Sequence, residues 1–295
     1  MPSAHKVLLT CPVCQEALVP RQDRKQLVCS SGHQFDAARQ GYFNLLTGAG
    51  TKFQADSAAM VQARADFLAA GHYRRLAEAV AAMVTGAGAS PVLVDAGAGT
   101  GYYLAEAART VDASATVALD ISKFALRRAA KALPQGYALV WDVWRRLPLA
   151  DGTADALLNV FAPRNPAEFR RVLRPGGILV VVTPLPAHLR ELRSLGGLLG
   201  IGPEKADRVA GSLGDGFALE DSQSLEYTMI LSRADVRNAA LMGPSAHHLD
   251  PAVLEAALES VSFPLRVSAA FALQRFRALE PRDAKSVQQD TGTGD

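Results

Sequence analysis

Residues 92–120 read VLVDAGAGTGYYLAEAARTVDASATVALD. VLVD (92–95) is a short apolar run with the look of a buried strand, YLAEAARTV (103–111) has helical spacing, and TVALD (116–120) reads as a second strand. Three glycines crowd the turn between the first strand and the helix. Working outward, the alternation continues: KFALRRAAKAL (123–133) reads as a helix, YALVW (137–141) as a strand, DALLNVF (155–161) as a strand, PAEFRRVL (166–173) as a helix and GILVVVT (177–183) as a strand. Repeated strand–helix order predicts an α/β fold, a doubly wound parallel sheet covered on both faces. Residues 187–215 are expected to be mostly helical, and 217–276 to mix strands with short helices. The polar end, PRDAKSVQQDTGTGD (281–295), is expected to fray. No internal repeat is visible.

The turn Asp95-Ala96-Gly97-Ala98-Gly99-Thr100-Gly101 sits where a ligand can lie against bare backbone at a helix N-terminus. Asp120 ends the next strand, placed to accept both hydroxyls of a ribose. The G-x-G-x-G spacing differs from the dinucleotide G-x-G-x-x-G, and an acid directly before the glycines would repel a pyrophosphate yet suit a cation. The sulfonium and ammonium of S-adenosylmethionine fit that field. Trp141-Asp142, at the end of the third strand, could flank an adenine, and Arg174-Pro175-Gly176-Gly177 turns into the fifth strand. A turn of purely structural glycines, or a nicotinamide site, are the competing readings.

Upstream lies a different chemistry. The three cysteines all fall in the first tenth of 295 residues, as Cys11-Pro12-Val13-Cys14 and Cys29, with His33 closing a C-x2-C-x14-C-x3-H pattern. An odd count so placed gives no disulfide framework. A redox CxxC would belong at a helix start in a βαβ unit, and buried structural cysteines would leave His33 unexplained. Cys3His is an accepted zinc set, and with four protein ligands the metal is structural rather than catalytic. Gln34–Asp36 and Gly41–Leu46 read as small β pieces around the metal, TGAGT (47–51) as a connector, Asp56-Ser57 as a helix start, and HYRRLAEAVAAMV from His72 as a second helix. The division expected is a zinc-binding module at 1–50, a helical linker at 51–89, a cofactor-binding domain at 90–280 and a disordered tail at 281–295.

Composition adds limits. At 49% hydrophobic and 20% charged the chain can build its own core, and no stretch approaches a membrane span or a signal peptide, so a cytoplasmic protein is expected. The net charge of +2 hides unevenness: Lys123, Arg127, Arg128, Lys131, Arg145 and Arg146 face only Asp142 in 121–146, while residues 1–52 hold Lys6, Arg21, Arg24, Lys25, Arg39 and Lys52 against Glu16, Asp23 and Asp36. Such strips can meet phosphate, although a solvated helix face would look the same.

Taken together, CPVC…C-x3-H, GHQFDAARQGYFNLL, DSAAMVQARADFLAAGHY, DAGAGTGYY and the LRPGG turn resemble the RlmA family of 23S ribosomal RNA guanine-N1 methyltransferases, a class I methyltransferase fold. The resemblance runs from Cys11 to about Leu192 and more weakly through MGPSAHH near 242. NVFAPRNPAEFRRVLRPGG (159–177) looks closest to the RlmA(II)/TlrB tylosin-resistance branch, and the x14 loop is longer than the family's usual one. The resemblance implies S-adenosylmethionine as cofactor, with Tyr73, Gly97 to Gly101 and His188 contacting it, a 23S ribosomal RNA hairpin as partner, and a homodimer with a cleft for that hairpin. NVFAPRN ends the fourth strand beside the methyl site and on that topology is expected to meet the target guanine: Asn159 through its amide, Phe161 by stacking, Arg164 on the base or its phosphate. Tyr73 could instead simply pack, His188 cap a helix, Phe161 sit in the core and Arg164 on the surface. Asp142 is near the site on topology but reads as an adenine ligand, so the general base is unassigned. The rival functions are a small-molecule methyltransferase, for which a basic zinc module has no evident use, and a non-catalytic RNA-binding protein, which would not need an intact DAGAGTG turn.

Overall fold

The computed structural model describes residues 8–48, 50–193 and 213–280. Four short strands, β1 (Leu9–Thr10), β2 (Ala17–Arg21), β3 (Gln26–Val28) and β4 (Gln34–Asp36), form an antiparallel ribbon in that order. The remainder is built on one eight-stranded sheet. Its strands are β5 (Tyr42–Asn44), β6 (Val92–Ala96), β7 (Ala115–Asp120), β8 (Tyr137–Val140), β9 (Ala154–Val160), β10 (Leu173–Pro184), β11 (Phe217–Leu231) and β12 (Leu265–Ala278), in the spatial order β5-β8-β7-β6-β9-β10-β12-β11. All neighbours from β5 to β10 run parallel, and β12 runs antiparallel to both of its neighbours. The doubly wound sheet is therefore present with a mixed edge, because β12 returns as the second arm of a long hairpin-like pair with β11.

Every residue of β6 and of β9 is buried, as expected of central parallel strands covered on both faces. Alternate side chains feed two cores: Leu93 joins the cluster holding Phe67, Leu76 and Leu126, whereas Val94 joins that of Leu119, Leu157 and Phe169. Helices α1 (Ala58–Ala69) and α2 (Arg74–Met83) bury Met60, Val61, Phe67, Leu76 and Val80. The stretch read as a linker is thus part of the sheet's covering layer. Helices α3 (Tyr102–Thr110), α4 (Lys123–Ala132) and α5 (Pro166–Val172) follow β6, β7 and β9 in the expected order. Ser57, Ser122 and Asn165 cap α1, α4 and α5 through side-chain oxygens. Beyond β10 come α6 (Arg190–Arg193), α7 (Arg233–Leu241) and α8 (Pro251–Glu259). Of the helical stretch expected at 187–215, residues 194–212 lie outside the described residues, as does the tail 281–295.

The second difference concerns β5. It does not close around the ribbon but pairs with β8 in parallel, Phe43 opposite Leu139, at the edge of the large sheet. Phe43 and Leu45 are buried there, which favours this edge, and the ribbon keeps an isolated bridge from Ala37 to Phe43. The ribbon itself docks on the same face: Leu9, Cys11, Leu27 and Cys29 share a buried cluster with Phe43, Leu139, Leu147 and Leu149, and the Thr10 amide donates to the Pro148 carbonyl at 3.0 Å. At the tip of the β2–β3 hairpin, Gln22, Asp23 and Arg24 all hold left-handed backbone. That turn aims Arg24 so that its two terminal nitrogens each donate at 2.7 Å to the carbonyls of Gln135 and Gly136, with the guanidinium 4.3 Å above the Tyr137 ring. The long x14 loop is what carries this clamp.

Candidate functional site

In the ribbon, the ligand atoms of Cys11, Cys14, Cys29 and His33 all lie within 4.8 Å of one another. Cys14 Sγ is 3.6 Å from Cys29 Sγ, and Cys29 Sγ is 3.4 Å from His33 Nδ1. Sulfurs at the corners of a tetrahedron with ~2.3 Å zinc–sulfur bonds stand about 3.8 Å apart, whereas a disulfide would need ~2.05 Å. Two tight turns present the pairs: the Gln15 amide donates to the Cys11 carbonyl at 2.9 Å, and the Gly32 amide to the Cys29 carbonyl at 3.1 Å. The donor set and spacing fit a structural zinc ion.

At the other site, the glycine-rich turn leaves β6 where the strand order reverses, the crevice position of α/β folds. Gly97, Gly99 and Gly101 all have positive φ, and Gly97 is forced for a second reason. A Cβ there would stand 2.2 Å from that of Ala162. The amides of Gly97 and Ala98 both donate to the Leu119 carbonyl, at 2.8 and 2.9 Å, pinning the turn to β7. Thr100 lies in the same turn, and Gly101 starts α3 without any side-chain cap, so the first N–H groups of that helix face a ligand position. Asp120 closes the far side, accepting from the Gly99 amide through Oδ2 (2.8 Å) and from the Ser122 amide through Oδ1 (2.7 Å). Each oxygen keeps a second lone pair for a ribose hydroxyl.

Asp95 is 1% exposed and its Oδ1 has no hydrogen-bond partner. Burial, with Asp120 adding repulsion, pushes its pKa up to about 8. A buried carboxylate without a partner beside bare helix amides is what a ligand combining an ammonium, a carboxylate and a sulfonium would complete. The residues fit S-adenosylmethionine. Burial also raises Asp120, against the pull of its two backbone donors.

Tyr73 and His188 meet in this crevice, Oη to Nε2, at 3.0 Å, both buried. The Ala270 amide donates to His188 Nδ1, which fixes the hydrogen of the neutral ring on Nε2 and makes Tyr73 the acceptor. The phenol hydrogen of Tyr73 is thereby free to turn elsewhere. Burial, reinforced by Arg193, lowers His188 to about 3. Asp142 is buried and accepts the Thr51 hydroxyl at 2.7 Å and the Trp144 amide at 3.0 Å. Trp141 differs from expectation: its ring is buried in the ribbon-facing core rather than flanking a ligand.

The NVFAPRN segment also divides. Asn159 is 0% exposed, and its Nδ2 donates to the carbonyls of Ala96 (3.0 Å) and Pro163 (2.9 Å). The opposite amide orientation would set an oxygen against two carbonyls, so Nδ2 makes Asn159 a strut behind the glycine turn, while its buried Oδ1 has no hydrogen-bond partner among the described residues. Phe161 is the reverse: 42% exposed, held at φ 54, with Tyr73, Tyr103 and Phe271 rings 5.6–6.4 Å away. A phenylalanine in left-handed backbone is strained, and such strain gathers at ligand sites. Arg164 is half-buried in the turn before α5.

Two residues went unread in the sequence. Arg64, the single basic residue of α1, pairs with Asp56 at 2.5 Å, donates to the Met242 carbonyl and brings Nη1 to 3.7 Å from where a Gly99 Cβ would be. Thr51 looked like connector, yet it orients Asp142. Their partners are far away in sequence, so no local pattern announces them.

Comparison with known proteins matches residues 9–48 to the family described as RlmA, N-terminal, a zinc ribbon, and residues 93–177 to a methyltransferase domain. The chain is 46% identical over 246 residues to the 23S rRNA (guanine(748)-N(1))-methyltransferase of Streptomyces fradiae, covering 82% of this chain and 87% of that one. It is also 46% identical over 289 residues to a Micromonospora griseorubida protein assigned to guanine-N(1) methylation of 23S rRNA, covering 92% and 97%. A solved Bacillus halodurans structure assigned as a methyltransferase superposes with a TM-score of 0.50 at 16% identity, over 69% of this chain and 99% of that one, which bears on the fold alone.

Proposed function

This chain belongs to the RlmA-type 23S rRNA guanine-N1 methyltransferases, and from that premise we propose that it methylates N1 of a guanosine in a hairpin loop of 23S ribosomal RNA. One observation carries the reading: the partnerless Asp95 carboxylate and the uncapped α3 start lie one van der Waals contact, Gly97 to Ala162, from the strained and exposed Phe161. A cation site and a base-stacking ring therefore share a wall. S-adenosylmethionine, held by Tyr73, Asp95, Gly97–Gly101, Asp120, Asp142 and His188, supplies an electrophilic methyl group.

Guanine must leave its stack to reach that methyl, and Phe161 offers a ring to receive it, with Arg164 on the base or its phosphate. Asn159 supports this by holding the 159–163 turn closed. Neutral guanine must also lose its N1 proton. Burial pushes the phenols of Tyr73 and Tyr103 well above their usual range, so they stay protonated, serve as donors and do not take that proton.

Residues 1–50 serve as RNA-recognition module, and 51–89 join it to the catalytic part at 90–280. No helix among the described residues is long and apolar enough to cross a membrane. Its RNA substrate places the enzyme in the cytoplasm, and we read it as a homodimer, which light scattering checks. A resistance outcome would appear as a raised macrolide inhibitory concentration in a host carrying the gene.

The deciding experiment is primer extension on 23S transcripts treated with protein and S-adenosylmethionine. Methyl at N1 blocks base pairing, so reverse transcriptase should stop at one loop guanosine. Labelling of metabolites with unlabelled RNA would reject the reading.

A further inference from the structure

Among the described residues, two large aromatic rings beside Asp142 are exposed rather than packed into the core. Trp144 is 51% exposed and Phe53 40%, with centroids 6.4 Å apart and planes inclined at 34°. With Lys52, Arg145 and the Thr51–Asp142 pair they line an open cleft of about 600 Å³. The lysine ammonium stands 5.4 Å above the Phe53 ring, and Arg145 donates to the Gly50 carbonyl.

The backbones that carry both rings are tied to one buried carboxylate. Asp142 Oδ1 accepts the Trp144 amide (3.0 Å), while Oδ2 accepts the Thr51 hydroxyl (2.7 Å), whose oxygen in turn accepts the Phe53 amide (3.2 Å). Next along the chain, Arg146 donates to Gln15 Oε1 at 2.9 Å, so the cleft lies against the metal ribbon on one side and at the β8 end of the sheet on the other. Two aromatic faces beside two cations match unstacked bases on a phosphate chain, and an apolar peptide would leave both charges unanswered.

We propose that this cleft is a second nucleotide subsite, in which an unpaired base flanking the target guanosine stacks on Trp144 and Phe53 while its phosphates meet Lys52 and Arg145. The inference rests on the RNA reading above and assigns it a position: the substrate strand runs from the ribbon across the cleft to Phe161. Stacking of this kind sets affinity and register, leaving sequence choice to other contacts.

The test measures affinity for the 23S hairpin transcript by fluorescence anisotropy, alongside S-adenosylmethionine affinity by calorimetry, for wild type and variants. Trp144→Ala and Phe53→Ala should each weaken RNA binding roughly 5- to 150-fold, the range of one lost base–aromatic stack, with cofactor affinity within about twofold of wild type. Trp144→Phe should recover most of the loss, and Lys52→Gln should reduce the slope of log K against log salt by about 0.7–0.9. RNA affinities unchanged in both alanine variants would overturn the subsite. So would an equal loss of cofactor affinity, which would make the cleft a wall of the adenine pocket. Wild-type protein that binds the hairpin through these rings without methylating it would instead overturn the transfer reading and keep the cleft.

Discussion

Replacing Gly97 with alanine should break the enzyme in a way that one further substitution partly repairs. The added Cβ would sit 2.2 Å from Ala162 Cβ, while carbon atoms settle at about 3.5–4.0 Å, so one backbone must move by roughly 1.3–1.8 Å. Overpacking of this kind costs about 1–3 kcal/mol. The residue also sits at φ 99, where a side chain adds about 1–2 kcal/mol of strain. The expected total is about 2–5 kcal/mol, or roughly 3–8 °C in melting temperature for a chain of this size. Ala162→Gly removes the colliding atom and leaves the strain, so the double variant should regain the larger share of the loss. The assay is thermal unfolding of the four proteins without cofactor, followed by S-adenosylmethionine titration. A Gly97→Ala protein that melts with wild type would refute the packing argument, as would a double variant no more stable than the single one.

Three other outcomes follow from the site and the ribbon. Because the Asp95 carboxyl titrates near 8 when free, it is mostly protonated at pH 7. Binding a cationic ligand should then release close to one proton, so affinity should rise with pH up to about 8; calorimetry in buffers of different ionisation enthalpy reads this, and a buffer-independent enthalpy contradicts it. His188, lowered to about 3, must charge on unfolding at acid pH, so it costs stability as pH falls from 6.5 toward 3. The loss between pH 7 and pH 5 should be about 2 kcal/mol and should shrink in His188→Gln, checked by urea denaturation at both values. Metal analysis should give about one zinc per chain, lost in Cys29→Ser; retention of stoichiometric zinc by that variant would remove the four-ligand assignment.

Features written locally were legible from residues alone. The glycine turn, the Ser57 cap and the metal ligands are set by spacing over a few positions, and strand–helix alternation exposes the sheet. What failed depends on distant partners or on parity. β5 is three residues long, and its pairing with β8 bridges about 95 residues of sequence. A fully buried strand such as β9 has no polar alternation, so nothing local separates Asn159, turned inward, from Phe161, turned out. The tryptophans show the same ambiguity: Trp141 was the natural candidate for a ligand wall, but the chain bends at Asp142, burying Trp141 and baring Trp144. Arg64 and Thr51 act across 178 and 91 residues.

The ribbon and the large sheet share one buried cluster, and Arg24 bonds across their junction. A ligand that binds only the folded form adds its binding free energy to everything that unfolds with its site. Metal held by four residues near the N-terminus therefore supports β8 and β5, the strands beside Asp142, and the concentration of free zinc becomes a variable in the stability of the methyl-transfer crevice. The two parts match separate sequence families, yet their shared buried cluster ties the stability of one to that of the other.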